Sequence, residues 1–256
     1  MKNLLDKKQR NLNRPKFWKL GDHYLACGDA RNEQVVKTLI GSMKINAIIT
    51  DPPYGVSVVE SKEGISPLKS HKVIANDNIT SELEYTNFTK DWLAPIIPHL
   101  SKKNSVYIFN ADKMLFALKN GMDEMQIHFS QLVIWMKNHA IVGRKDYLPQ
   151  HELIVFGWHG THKFRRSKDK SVLFYPKPNK SPYHPTTKPI GLIRHLILNS
   201  TDISDAVYDC FGGSGTTLLA CEQLKRRCYM IEQDEEYCRT IIRRWERITK
   251  LKAKQV

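Results

Sequence analysis

The segment Ala206-Val-Tyr-Asp-Cys-Phe-Gly-Gly-Ser-Gly-Thr-Thr217 constrains the fold of this chain more than any other. It runs from a β-branched and aromatic stretch through three glycines into a helical stretch. Gly212, Gly213 and Gly215 permit positive φ and close approach of a ligand to the backbone. A helix beginning near Thr216 directs its free N–H groups at whatever occupies the turn. The next strand-like run, Arg227–Glu232, ends in a carboxylate. It lies roughly 20 residues beyond Asp209, the spacing at which an acid accepts hydrogen bonds from a ribose diol in dinucleotide-binding folds.

The turn reads D-x-F-x-G-S-G-T-T, not G-x-G-x-x-G, and it carries no lysine of a phosphate-binding loop. A nucleoside without phosphates but with a carboxylate tail suits it better than a dinucleotide. S-adenosylmethionine is such a ligand, and a nicotinamide cofactor is the rival. The candidate cofactor residues here are Asp209, Phe211, Gly213, Ser214, Gly215, Thr216, Thr217 and Glu232.

Around this turn, short strand-like runs alternate with helical ones. The strands are read at 24–27, 45–50, 105–109, 131–136, 153–158, 206–211 and 227–232; the helices at 87–100, 113–120, 189–199, 215–224 and 235–251. Such alternation predicts an α/β domain with a doubly wound, mostly parallel sheet. No helix-length segment separates 131–136 from 153–158, so those two runs read as an antiparallel edge. After Glu232 only one helical stretch remains. A third strand for the cofactor half is then expected from Tyr24–Cys27, which would put Asp29 at a strand end near the cofactor. Residues 1–19 read as a basic arm and 20–256 as one catalytic domain. Two longer loops are set in it, at 56–80 and at 159–185.

The strand Ile45–Thr50 delivers Asp51-Pro-Pro-Tyr54 at its carboxyl end, where ligands bind in open α/β sheets. Two prolines fix φ and remove N–H donors. The Asp51 carboxylate and the neighbouring carbonyls are thus left as rigid acceptors, as an exocyclic amino group requires. Tyr54 can stack on a base. Asp51, Pro52, Pro53 and Tyr54 form the candidate catalytic set, Asp51 also bordering the cofactor.

These two motifs resemble those of the DNA amino-methyltransferases in their beta arrangement, in which the catalytic motif precedes the cofactor loop. Ile134-Trp-Met-Lys137 through Gly143-Arg-Lys-Asp-Tyr147 to His151-Glu152, and His184-Pro-Thr-Thr-Lys-Pro189, are similar to further family segments. The resemblance implies a Rossmann-like methyltransferase fold with a seven-stranded, mostly parallel sheet, helices on both faces and permuted motif order. It implies S-adenosylmethionine as cofactor and places Lys188 on the cofactor side. The implied reaction is methylation of the adenine N6 amino group, with the base flipped out of the duplex. Cytosine N4 is the alternative, because cytosine members often carry Ser-Pro-Pro-Tyr where Asp51 stands. An inactive DNA-binding relative and a nicotinamide oxidoreductase rank below.

A net charge of +14 fits double-stranded DNA as the partner. The basic segment at 159–180, with Lys163, Arg165, Arg166, Lys168 and Lys170, is the expected DNA contact. Its blander reading is a solvated basic loop. Five cysteines without a C-x-x-C spacing fit a reducing cytoplasm and no metal. The polar, basic first 16 residues do not read as a signal peptide, and no apolar run approaches a membrane span. The resemblance leaves a homodimer open.

Overall fold

The structure is a computed structural model; it describes residues 15–53, 81–140, 146–166, 168–177 and 187–256. Tyr54, the expected loop at 56–80 and the stretch His184-Pro-Thr186 lie outside the described residues.

All seven strands read from the sequence form, and they lie side by side. In chain order they are β2 (His23–Cys27), β3 (Ile45–Thr50), β4 (Leu100–Asn110), β5 (Ile127–Met136), β6 (His151–His159), β9 (Ala206–Asp209) and β10 (Arg227–Glu232). Their order across the sheet is β2-β10-β9-β3-β4-β6-β5. The first five run parallel, β6 runs antiparallel to β4, and β5 pairs antiparallel with β6. β2 thus joins β10 and β9 as a third parallel strand, as the sequence led one to expect.

Four short strands extend this seven-stranded kernel. β1 (Lys16–Leu20) folds back on β2, and β11 (Lys254–Gln255) covers β1. β8 (Val172–Phe174) covers β5, while β7 (Thr161–His162) adds to the start of β4. Lys16–Lys19, read as the end of a basic arm, therefore belong to the sheet. The expected loop at 159–185 likewise contains β7 and β8. Short lysine-bearing strands suit an edge, where one side faces water.

The central strands are apolar on both faces because helices cover both. On β4, Val106 and Ile108 point to one side and Tyr107 and Phe109 to the other. The first side packs against α1 (Glu33–Ile40), α2 (Glu82–Leu93) and α3 (Leu115–Glu124). The second packs against α4 (Ile190–Ser200), α5 (Thr216–Leu224) and α6 (Glu235–Thr249). Helix α6 buries Cys238, Ile241 and Trp245, which fall on one helical stripe. Helix α1 was not among the expected helices, although Asn32 caps its start and Gly41 ends it with φ 59°. Helix α2 begins at a Ser81/Glu84 capping box and stops by Leu93, earlier than the expected 87–100. Pro95 and Pro98 cannot extend it, and Leu100 already opens β4.

Gly157 on β6 faces the bulge between Phe129 and Gln131 of β5. A Cβ there would sit 2.1 Å from the His128 carbonyl oxygen, which is backbone and cannot turn away. Gly157→Ala should cost about 1–3 kcal/mol or more through overpacking. Urea unfolding of the two proteins measures it, and an unchanged midpoint would contradict the β5–β6 register.

Candidate active site

β3 and β9 are neighbours at the point where the strand order reverses, the place where open α/β sheets bind ligands. β3 ends at Thr50 and passes directly to Asp51-Pro52-Pro53. β9 ends at Asp209 and passes into the glycine turn. The two ends are tied by a buried hydrogen bond, Thr50 Oγ1 donating to Asp209 Oδ1 at 3.0 Å. Asp209 also accepts from the Phe211 N–H at 3.2 Å and from the Thr217 hydroxyl. Burial pushes its pKa up to about 7; the three donors oppose that shift and the nearby Asp51 charge adds to it. Asp209 thus faces the protein and braces the loop.

The glycine turn follows from its backbone. Gly213 has φ 50° and Gly215 φ 80°, in the left-handed region that favours glycine. A Cβ on Gly215 would also meet the Ile241 side chain at 2.9 Å. Helix α5 starts at Thr216, and Ser214, Thr216 and Thr217 are buried. Glu232, at the end of β10, accepts from Gly213 N–H at 2.7 Å and from Asp234 N–H at 2.8 Å. Burial raises the Glu232 pKa to about 7 against those two donors. The Gly28 N–H donates to the Glu232 carbonyl at 3.0 Å, so the end of β2 and Asp29 stand beside this carboxylate. Asp29 itself is held by the Arg31 backbone N–H and guanidinium. Burial works against its charge, but Arg31 keeps its carboxyl below the usual range. Phe211 packs its ring against Phe88 and Trp92 of α2, at 5.8 and 5.7 Å.

Asp51 is met from the other side by Lys188, whose ammonium lies 2.5 Å from Asp51 Oδ2 and 3.2 Å from Glu152 Oε2. Glu152 in turn pairs with Lys137 at 2.8 Å. Lys188 and Lys137 are buried, and Lys188 sits over the Phe109 ring. Burial disfavours the Lys188 charge, but Asp51 and Glu152 hold its pKa above the ordinary value.

The structure therefore gathers Asp51, Pro52, Pro53, Lys188, Asp209, Phe211, Gly213, Ser214, Gly215, Thr216, Thr217 and Glu232 at the carboxyl ends of the parallel strands, with Asp29 at their border. It does not bring Lys163 and Arg165 with them. Lys163 and Arg165 follow β7, which pairs with Lys103 and Asn104 at the start of β4, the opposite end of the sheet. There Lys163 binds Asp205 at 2.7 Å and Asp202 at 3.0 Å, and Arg165 also pairs with Asp202. Both thus pair with the turn before β9. Lys168 adopts φ 69°, and the Lys170 N–H caps Asp169. Glu152 and Lys137, which complete the charge cluster at Asp51, were not in the expected site. Among the described residues no group of His, Cys, Asp and Glu has the arrangement of a metal site, and no helix is long and apolar enough to cross a membrane.

The raised pKa of Asp209 has a consequence for stability. An unfolded aspartate ionises near pH 4, whereas folded Asp209 does so near pH 7. Between those values the folded chain holds the extra proton, so stability is lost as pH rises through about 7. Between pH 5 and 7.5 the wild type should lose on the order of 2 kcal/mol more than Asp209→Asn. Denaturant unfolding at the two pH values tests this, and equal slopes for both proteins would contradict a protonatable, buried Asp209.

A profile of the DNA methylase family of N6 and N4 enzymes matches residues 45–243, which includes both motifs. The Type II methyltransferase M.HpaI of Haemophilus parainfluenzae is 26% identical over 244 residues, covering 84% of this chain and 72% of that protein. The crystal structure of an M1.HpyAVI–SAM complex superposes with TM-score 0.63 at 25% identity, over 86% of this chain and 98% of the other. The PvuII DNA methyltransferase, cytosine-N4-specific, shares the fold with TM-score 0.65 at 18% identity, over 88% and 89% of the two chains. With its two motifs joined at one site and most of its length matched, this chain belongs to the N6/N4 DNA methylase family.

Proposed function

We propose that the chain transfers a methyl group from S-adenosylmethionine to the exocyclic N6 amino group of adenine in double-stranded DNA. The observation that carries this reading is the Thr50–Asp209 hydrogen bond, which sets the Asp51 turn beside the glycine loop.

The residues present fit this cofactor. The glycine turn leaves backbone at the strand ends without side chains, and Glu232 beside it is a carboxylate with accepting capacity beyond its two N–H donors. Glu232 would accept from the ribose hydroxyls, Asp29 would border the adenine, and Gly213, Ser214 and Gly215 would face the methionine part. Phe211, rooted against α2, would flank the nucleoside. When bound, the sulfonium supplies a methyl group that is already electrophilic. The chain's own task is then positioning and electrostatics.

Asp51 and the Pro52 carbonyl accept the two N–H bonds of the target amine and turn its lone pair outward. Pro53 holds that turn rigid. The amine gains positive charge during transfer, and the fixed Asp51 carboxylate stabilises that charge more than the neutral ground state. Tyr54 stacks on the base, which must leave the helix stack because its amino group is otherwise enclosed by pairing. Aspartate at position 51 favours adenine. Cytosine N4 is the second reading, favoured by the likeness to the cytosine-N4-specific PvuII fold. For DNA contact, Arg166, Lys168 and Lys170 stay in the proposal with Arg165, which is half exposed beside Asp202; Lys163, less exposed between Asp202 and Asp205, is the least available of the five.

Asp51→Ala should slow single-turnover transfer of labelled methyl to genomic DNA by about 10²–10³, with cofactor binding retained. A folded variant transferring at the wild-type rate would remove Asp51 from the mechanism. Glu232→Gln should weaken S-adenosylmethionine binding about 10-fold or more, through loss of a charged hydrogen-bond acceptor. Ionised Glu232 is the stronger acceptor, so wild-type affinity should rise as pH passes upward through about 7. Calorimetry across that range checks both statements, and the same pH dependence in Glu232→Gln would place the titration elsewhere.

A further inference from the structure

Four buried or half-buried charges of alternating sign stand in line behind the proposed acceptor: Asp51, Lys188, Glu152 and Lys137. The contacts are 2.5 Å, 3.2 Å and 2.8 Å in that order. The four come from four separate places. Asp51 follows β3, Lys188 precedes α4, Glu152 lies on β6 and Lys137 follows β5. The antiparallel register that sets Trp135 opposite Glu152 brings Lys137 and Glu152 to one another.

Such an arrangement is costly to build. Lys188 is 8% exposed and Lys137 only 1%. An ammonium removed from water to that degree needs a carboxylate or it loses its proton. A single Asp51–Lys188 pair would be balanced by itself. The chain nevertheless adds a second carboxylate on the far side of Lys188 and a second buried lysine to balance that carboxylate. Neither Glu152 nor Lys137 touches the glycine turn in any contact the structure shows. The arrangement makes sense as a device acting on Asp51 through Lys188. With Glu152 sharing the ammonium, Lys188 orients the Asp51 carboxylate without cancelling its field at the place where the amine stands. Without Glu152, the whole Lys188 charge would fall on Asp51. A carboxylate neutralised in that way stabilises a developing cation less.

We propose that Glu152, anchored by Lys137, is a positioning residue for methyl transfer: it holds Lys188 between two carboxylates and so sets both the orientation and the effective charge of Asp51. This inference rests on the reading of Asp51 as acceptor of the target amine. It adds two residues that act without contacting base or cofactor.

The test uses the full chain in three forms: wild type, the double variant Glu152→Gln/Lys137→Met, and Lys188→Met. The double variant removes one charge of each sign and leaves Asp51 paired with Lys188, so its buried charge stays balanced. Should it fail to fold, Glu152→Asp withdraws the carboxylate by one methylene while keeping its charge, and the same change at reduced size is expected. Single-turnover transfer of labelled methyl should fall roughly 10–100-fold in the double variant, since a misplacement of about 1 Å at a reacting centre costs up to about 10²-fold. Its affinity for S-adenosylmethionine, by calorimetry, should stay within about 3-fold of wild type, a shift of under 1 kcal/mol.

Carbon-13 NMR titration of the Asp51 carboxyl gives a second readout that needs no turnover. The Asp51 midpoint should move down in the double variant, where Lys188 is no longer shared with Glu152, and up in Lys188→Met. Asp209 and Tyr85 also face Asp51 electrostatically and are the same in all three forms. Wild-type transfer and an unmoved Asp51 midpoint in the double variant would overturn the proposal. So would a collapse of cofactor binding, which would assign Glu152 to the cofactor. A wild-type protein that transfers no methyl would refute the functional reading itself, and the NMR midpoints would still show whether the charge chain governs Asp51.

Discussion

A buried hydrogen bond from the Thr50 hydroxyl to the Asp209 carboxyl ties the Asp51 turn to the glycine loop. Thr50 ends the strand that carries the acceptor turn, and Asp209 ends the strand that carries the glycine loop. Parallel pairing of β3 and β9 brings the strand ends close, but backbone pairing stops at Ile48 and Tyr208. Beyond that point side chains must hold the loops in relation. Asp209 does so with three donors, two of them hydroxyls from opposite sides of the crevice. The cost is a carboxyl buried deeply enough to lift its pKa to about 7. A protein keeps such a group only where its geometry is needed.

The distribution of charge follows the same division. At the carboxyl ends of the strands, the charged groups answer to the site: Lys188 and Glu152 behind Asp51, and Glu232 beside the glycine turn. At the amino ends, Lys163 and Arg165 meet Asp202 and Asp205 and fasten the segment after β7 to the turn before β9. Further along, Asp169 accepts from Asn199 at 2.7 Å and pairs with His195, whose other ring nitrogen meets the Tyr175 hydroxyl. These contacts pin the segment leading into β8 against α4. A basic run in the sequence has thus become, in part, a structural clasp, and net charge alone could not distinguish the two uses.

The kernel of the fold was legible because its strands are buried on both faces. Ile45–Thr50 and Ala206–Asp209 are mostly apolar and almost wholly buried, as strands covered on both faces are. The two motifs were legible because glycine and proline state backbone requirements directly. The edge strands were not, since Lys16–Leu20 and Val172–Phe174 owe their conformation to partners far along the chain. Helix α1 carried its signals in Asn32, Gly41 and the apolar face of Val35, Val36, Leu39 and Ile40, yet its eight residues are short of the length that separates a helix from a brief apolar run. Lys137 and Glu152 stood in stretches that resemble family segments, but their pairing depends on the β5–β6 register, which spacing alone does not give.

The account comes down to which atom of DNA receives a methyl group. DNA from cells expressing the chain, digested to nucleosides and examined by mass spectrometry against DNA from cells lacking it, answers that directly. The account predicts N6-methyladenine that appears with the wild-type chain and disappears with Asp51→Ala. N4-methylcytosine in its place would contradict the adenine assignment, and DNA without any added amino-methylated base would contradict the function.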